Sequence, residues 1–151
     1  MLGAKGLLFT PLRLCTSHVP RIGASETPPL SAAAVKASAG ASEHLLLARV
    51  GGLGETAREL QERGIRLIAA DQDAATAAWD ADLTGPIAIV VGSEGSGVSG
   101  AMRRRCDLLV RFPMAGRIAS LNAATAGALL LFEVVRQRAA GARLESGATP
   151  T

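Results

Sequence analysis

The sequence has 151 residues, a length typical of a single domain, with 48% hydrophobic and only 3% aromatic residues. This composition excludes an intrinsically disordered chain and predicts a core of Ala, Leu, Val and Ile. The net charge of +3 is compatible with a polyanionic partner, and the sequence contains no stretch of about 20 apolar residues of the kind that spans a membrane.

The spacing of the two cysteines, Cys15 and Cys106, and of the two histidines, His18 and His44, fits neither a disulfide framework nor a zinc site. We therefore expect reduced cysteines and no metal. The opening residues lack a signal-peptide pattern, so we expect a cytoplasmic protein that does not associate with membranes.

The first half of the chain is predicted to form short strands and helices joined by polar turns. These elements are a strand over Gly6 to Thr10, a long polar loop over 11–29, a helix from the cap residue Ser31 to Ser38, a turn over 39–44 and a strand over Leu45 to Val50. Leu53, Ala57 and Leu60 then recur at helical spacing. Gly64 follows where a C-terminal cap glycine belongs.

The second half contains the predicted centre of the sheet. Pro86 to Val91 is apolar on both faces, as a buried parallel strand is. Further strands are predicted over Ile65 to Ala69 and Leu108 to Phe112. The segment Asp71 to Asp82 is predicted to be a loop or short helix, with Trp79 as a packing anchor.

Two capped helices complete the prediction. Ser99 is a suitable cap for a short helix over Gly100 to Arg105, and Ser120 for a final helix over Leu121 to Arg138. The final helix is apolar on nearly every side, which indicates burial within the domain or in a dimer interface. Strands that alternate with helices predict an α/β fold with a parallel sheet flanked by helices.

The most informative feature is the apolar strand that runs into the glycine-rich turn Gly92-Ser93-Glu94-Gly95-Ser96-Gly97. Glycine allows bare backbone to approach a ligand closely. A second loop follows the strand that ends at Phe112 and leads into the helix at Ser120. Because the carboxyl ends of neighbouring parallel strands share one edge of a sheet, the two loops are predicted to line one pocket.

The glycine-rich turn has alternative interpretations. Gly95, Gly97 and Gly100 match the dinucleotide-binding pattern G-x-G-x-x-G, which alone is a weak signal. The segment before the next strand is short for a parallel crossover, and no acidic residue closes that strand to hold a ribose hydroxyl. An NAD-binding oxidoreductase domain therefore remains an alternative, as does a tight turn that binds nothing.

Three motifs together resemble the SpoU (TrmH) family of RNA ribose 2′-O-methyltransferases, which belongs to the SPOUT superfamily. They are Gly92-Ser93-Glu94-Gly95-x-Gly97, Pro113-Met114, and Ser120-Leu121-Asn122 with an apolar helix that ends in Phe132-Glu133-x-x-Arg136-Gln137-Arg138. Within the family, Phe112-Pro113-Met114-Ala115-Gly116 and Phe132-Glu133 make the chain most similar to the branch that methylates a guanosine ribose in 23S ribosomal RNA, although the family usually has an aliphatic residue in place of Phe112. The resemblance covers roughly residues 2–138.

This resemblance implies methyl transfer from S-adenosylmethionine to a ribose 2′-hydroxyl of ribosomal or transfer RNA. The cofactor contacts that it implies by position are Gly92, Phe112 and Leu121. The catalytic residues that it implies are Glu94, Asn122 and Ser120. It also implies a trefoil-knotted fold and a homodimer.

The opening of the chain departs from the family pattern, which begins with a strand and a helix that carry Asn-x-Gly-x-x-x-Arg. Its arginine is thought to assist deprotonation of the target hydroxyl, and neither Arg13 nor Arg21 stands at that position. We therefore predict a SpoU-type catalytic domain over residues 1–138 that lacks its first strand and helix, followed by a disordered tail over 139–151. A catalytically inactive fragment that binds RNA or cofactor is the alternative.

Four arginines lie beside the two predicted loops. They are Arg103, Arg104 and Arg105 after the glycine-rich turn, and Arg117 in the second loop. Such a group either contacts RNA phosphates or forms a solvated helix face.

Overall fold

The computed structural model of the chain describes residues 6–10, 21–22, 32–44, 48–93, 97–114 and 121–145. The strands in these residues are β1 (Gly6–Thr10), β2 (Arg21–Ile22), β3 (Ala48–Arg49), β4 (Arg66–Ala70), β5 (Thr76–Ala77), β6 (Ile87–Val91) and β7 (Leu108–Arg111). The helices are α1 (Ala32–Ala37), α2 (Leu53–Glu62), α3 (Gly100–Arg105) and α4 (Ala123–Glu145), with short 3-10 helices at Ala41–His44 and Ala78–Asp80.

The strands form one sheet in the order β3-β2-β1-β6-β4-β7-β5. The four strands β6, β4, β7 and β5 are mutually parallel, which confirms the predicted parallel sheet for this part of the molecule. β1 pairs with β6 in the antiparallel direction. β4 precedes β6 and β7 in the chain but lies between them in the sheet. Because the three strands are parallel neighbours, their carboxyl ends lie at the same edge of the sheet.

Side chains of the central strands alternate between two hydrophobic clusters, one on each face of the sheet. On one face, Leu67 and Val90 pack with α2 and with Met102 of α3. On the other face, Ile68 and Ile89 pack against Leu130 and other residues of α4. All of these side chains are buried, and burying each large aliphatic side chain contributes about 1.5–3 kcal/mol.

Two local signals in the sequence produce the expected geometry. The Met102 N–H donates to Oγ of Ser99 at 3.3 Å, which confirms Ser99 as the cap of α3. Gly64 has φ +75°, the left-handed conformation that ends a helix, and it follows Arg63, the C-terminal cap of α2. Both signals act over a few residues, which is why the sequence alone predicts them.

Other boundaries differ from the prediction. The two-residue strand β2 lies inside the segment predicted as one loop over 11–29. Of the strand predicted over 45–50, the structure describes residues 48–50, and of these Ala48–Arg49 form β3. The segment from Asp71 to Asp82 contains β5 as well as a 3-10 helix. The prediction that Trp79 is a packing anchor is wrong, because this side chain is 54% exposed.

The final helix also differs at both ends. It begins at Ala123 instead of Leu121 and continues past Arg138 to Glu145, so the first part of the predicted disordered tail is helical. Ala139, Ala140 and Ala142 explain the extension, since alanine has the highest helix propensity. None of the helices in the described part of the chain combines the length and hydropathy that crossing a bilayer requires.

Candidate active site

A pocket of about 510 Å³ opens at the shared carboxyl edge of β6, β4 and β7, beside the start of α4. This volume lies within the range of small-molecule sites. Its lining includes Asp71 after β4, Gly92 after β6, Phe112 after β7, and Leu121 and Asn122 before α4. The predicted meeting of two loops in one pocket is therefore observed for the described ends of both.

The glycine loop closes on itself at the pocket wall. The N–H of Ser93 donates to O of Gly97, and the N–H of Gly97 donates to O of Ser93, each at 2.9 Å. Gly97 has φ +63°. A Cβ atom added to Gly92 would lie 2.6 Å from the backbone nitrogen of Val98, so the loop has no room for a side chain there. The tip of the loop, with Glu94, lies outside the described residues.

Phe112 and Leu121 lie at the two described ends of the second loop, and both line the pocket. Leu130 and Gly127 of α4 continue this wall. A Cβ atom added to Gly127 would lie 3.4 Å from Cγ2 of Val91, which shows how closely α4 approaches β6. Residues 115–120, among them Ser120 and Arg117, lie outside the described residues.

Asn122 combines a place on the pocket with a role in α4. The N–H of Ala124 donates to Oδ1 of Asn122 at 2.8 Å, and the N–H of Thr125 donates at 3.4 Å. Asn122 thus supplies the helix cap that the sequence analysis assigned to Ser120. The side chain of Asn122 is exposed and also lines the pocket.

An ion pair that the sequence analysis missed lies in the same wall. Nε of Arg103 is 2.6 Å from Oδ2 of Asp71, and both residues line the pocket. The carboxylate side chain is only 7% exposed, whereas that of Arg103 is 40% exposed. Of the three consecutive arginines, Arg103 therefore lines the pocket, whereas Arg104 and Arg105 are exposed to solvent. Sequence order did not indicate this pair, because Asp71 follows β4, which is the neighbour of β6 in the sheet but not the next strand after β6 in the chain.

The described residues contain no group of three or more His, Cys, Asp or Glu side chains placed to hold a metal ion. Cys106 is a free thiol, and Cys15 lies outside the described residues. Burial raises the pKa of the Cys106 thiol to about 11, with a smaller contribution from the negative charge of Asp107. A thiol that is this hard to ionise is a poor nucleophile and a poor metal ligand at neutral pH.

Comparison with known proteins agrees with this geometry. Residues 16–132 match the model of the SpoU rRNA methylase family. The chain belongs to the SpoU family. Four of the six site residues that the family pattern implied, Gly92, Phe112, Leu121 and Asn122, lie on one pocket in this SpoU chain.

The relatives include an RlmB 23S rRNA (guanosine-2′-O-)-methyltransferase of Vibrio parahaemolyticus. It is 45% identical over 112 residues, which are 74% of this chain and 45% of the relative. Among solved structures, AviRb of Streptomyces viridochromogenes in complex with AdoMet gives a TM-score of 0.74 at 32% identity, covering 82% of this chain and 51% of that one. An AdoMet-bound rRNA methyltransferase of Sinorhizobium meliloti gives 0.70 at 27% identity, covering 78% and 45%. The SpoU chain thus spans about half the length of these relatives.

Proposed function

We propose that this SpoU chain is the cofactor-binding and methyl-transfer domain of an RNA ribose 2′-O-methyltransferase, with ribosomal RNA as the substrate class. One observation carries the proposal: Gly92, Phe112 and Leu121, which the family pattern implies as cofactor contacts, lie on one pocket. The rRNA methyltransferases among the relatives support the choice of substrate.

The residues present suit S-adenosylmethionine, which joins a flat adenine to a polar ribose and a charged amino acid. Phe112, Leu121 and Leu130 supply an apolar wall for the adenine. Asp71 and Arg103 supply polar groups for the remainder. Bare backbone at the glycine loop allows main-chain groups to approach the nucleoside closely.

When bound, the cofactor supplies an electrophilic methyl group on a sulfonium. The chain would then hold the target hydroxyl in line, within about 3–3.5 Å of the methyl carbon, and help it to lose its proton. Asn122 lies on the pocket, where its Oδ1 caps α4, and by its position in the family pattern it is assigned to this positioning. By their positions in the family pattern, Glu94 and Ser120 are assigned to the same task.

The RNA contact is assigned to the exposed basic side chains near the pocket. Arg104 and Arg105 end α3, whose first residues follow the glycine loop. Arginine binds phosphate through several N–H donors. Binding through such contacts weakens as the salt concentration rises, because counterions are released on association.

The homodimer is assigned to α4. Leu129, Phe132 and Val135 follow one another at three-residue spacing and are 42%, 78% and 64% exposed. Large apolar side chains exposed together indicate a protein contact, since water is displaced from them on association. The opposite face of α4 is already covered by the sheet.

Calorimetry with S-adenosylhomocysteine and with NAD, each titrated into the full chain, tests the cofactor. We expect binding of the former alone, and the reverse result would favour the oxidoreductase alternative. A labelled-methyl assay on ribosomal RNA then tests transfer, with Asn122→Ala and Glu94→Ala compared with the wild type. Undiminished transfer in both variants would remove these residues from the catalytic site. Cofactor binding without any transfer would identify an inactive domain of the same fold.

A further inference from the structure

The acidic residue that follows β4 stands beside the glycine loop in space. β4 and β6 are parallel neighbours, and Ala69 is paired with Val90. The chain therefore leaves both strands at the same level, which places Asp71 beside Gly92 at the edge of the sheet. Both residues line the pocket.

Two contacts within the described part of the chain fix the carboxylate of Asp71. Oδ1 accepts a hydrogen bond from the N–H of Asp73 at 2.9 Å, and Oδ2 forms an ion pair with Nε of Arg103 at 2.6 Å. An ionised carboxylate has about four acceptor positions, so these two contacts with described residues leave room for a ligand to donate to it. The turn and the arginine together hold the group in one orientation at the pocket wall.

We propose that Asp71 determines specificity in this pocket by accepting hydrogen bonds from the ribose hydroxyls of the nucleoside cofactor, and that Arg103 is its positioning residue. The proposal rests on the proposed function. A carboxylate that ends a strand beside a glycine-rich turn has the arrangement by which other α/β folds hold a ribose diol. Here the acid and the turn come from strands that are neighbours in the sheet but not consecutive in the chain.

The ion pair explains why the acceptor sits in a nearly closed wall. A buried charge without a partner is costly, and the guanidinium of Arg103 supplies a counterion to the Asp71 carboxylate. The guanidinium contacts Oδ2 of Asp71 through Nε and is itself 40% exposed. A site built to bond a hydroxyl rejects a ligand that lacks the hydroxyl, since its buried polar group is then left unpaired.

The test uses the full chain and calorimetry with S-adenosylhomocysteine and its 2′-deoxy and 3′-deoxy ribose analogues. We expect the wild type to bind at least one deoxy analogue about tenfold or more weakly than the parent compound. Asp71→Ala should bind the parent compound more weakly by a similar factor and no longer distinguish it from that analogue. Arg103→Met should reduce the discrimination, and Arg103→Lys should restore part of it.

Asp82 provides a matched control away from the pocket. Its Oδ1 accepts from the N–H of Thr84 at 3.0 Å, and its Oδ2 lies 3.6 Å from an Arg66 nitrogen, so its turn and arginine partner resemble those of Asp71. Asp82→Ala should leave the discrimination between ribose and deoxyribose intact.

Two results would overturn the proposal: equal wild-type affinity for the parent compound and both analogues, or an Asp71→Ala variant that weakens all three alike. The second result would mean that Asp71 only shapes the wall. Failure of the wild type to bind S-adenosylhomocysteine at all would instead refute the proposed function, so the two failures are distinguishable.

Discussion

Gly92 packs directly against the backbone of Gly97, with the reciprocal hydrogen bonds between Ser93 and Gly97 closing the loop between them. The position of Gly92 therefore depends on the absence of a side chain, because a Cβ atom would meet main-chain atoms that have no rotamer to change. For this reason the part of the pocket wall that Gly92 forms is bare backbone.

Replacing Gly92 is expected to open the loop and damage the pocket. Gly92→Ala should lower the affinity for S-adenosylhomocysteine by tenfold or more, measured by calorimetry, and should lower the melting temperature. Gly100→Ala is the control, since its Cβ atom would meet only the flexible end of Arg104, at 3.5 Å. Equal affinities in the wild type and Gly92→Ala would contradict the packing argument.

Asn122 has two roles that its substitutions can separate. Asn122→Ala should cost about 1 kcal/mol of unfolding free energy, because the cap of α4 is lost. Asn122→Asp keeps the cap and adds a negative charge that suits a helix N-terminus, so its stability should equal or exceed that of the wild type. If Asn122→Asp is stable and still loses methyl transfer, the amide acts on the substrate; full activity would leave it as a cap only.

Gln137 is expected to contribute more stability than the arginine beside it. Its amide donates to O of Ala81 and its Oε1 accepts from the N–H of Leu83, both at 2.8 Å, which ties α4 to the segment before β6. Gln137→Ala should cost about 1–3 kcal/mol, since partly buried backbone groups lose their partners. Arg136→Ala should cost less, because Arg136 itself is 62% exposed and Glu133 keeps its hydrogen bond from Gln137. Denaturant titration measures both, and the reverse order would refute this assignment.

The raised pKa of Cys106 predicts slow reaction with thiol reagents. At a pKa of about 11, roughly one thiol in a thousand is ionised at pH 8, compared with about one in four for a free cysteine of pKa ~8.5. A Cys15→Ser variant isolates the signal, and alkylation should become at least a hundredfold faster after unfolding. Because the folded pKa exceeds the unfolded value, this thiol also makes stability decrease as the pH rises from about 8.5 towards 11. Equal rates in the folded and unfolded states would contradict the burial argument.

The exposed apolar side chains of α4 predict self-association. Phe132→Ser should shift the chain from dimer to monomer in sedimentation experiments, because Phe132 exposes the most apolar surface. Ala140→Ser introduces the same residue at another exposed position of α4 and should have no effect. A wild type that stays monomeric at all concentrations would refute the assignment of this face.

Local and periodic signals made most of the elements near the site predictable. Val91 ends an apolar strand, Ser99 caps α3 and Gly64 ends α2, and each feature follows from neighbouring residues. The pocket itself was predictable because parallel strands expose their carboxyl ends at one edge. The identity of the cap on α4 was not, since Ser120 and Asn122 are both good capping residues.

Features set by pairing across the sheet were the ones missed. β2 is too short to show a period, and the antiparallel direction of β1 depends on its partner β6. The Asp71–Arg103 pair was missed because the chain order conceals that β4 lies beside β6. Sequence spacing measures distance along the chain, whereas these contacts depend on the order of strands in space.

The position of Trp79 determines how this protein can be observed. It is the single tryptophan of a chain that contains no tyrosine, and it is absent from the pocket lining. It lies in a 3-10 helix that contacts α4, with more than half of its surface in water. The tryptophan emission should therefore change little when cofactor binds. It should change when another protein surface covers the region beside α4, so a fluorescence titration would detect association of the chain and not cofactor binding.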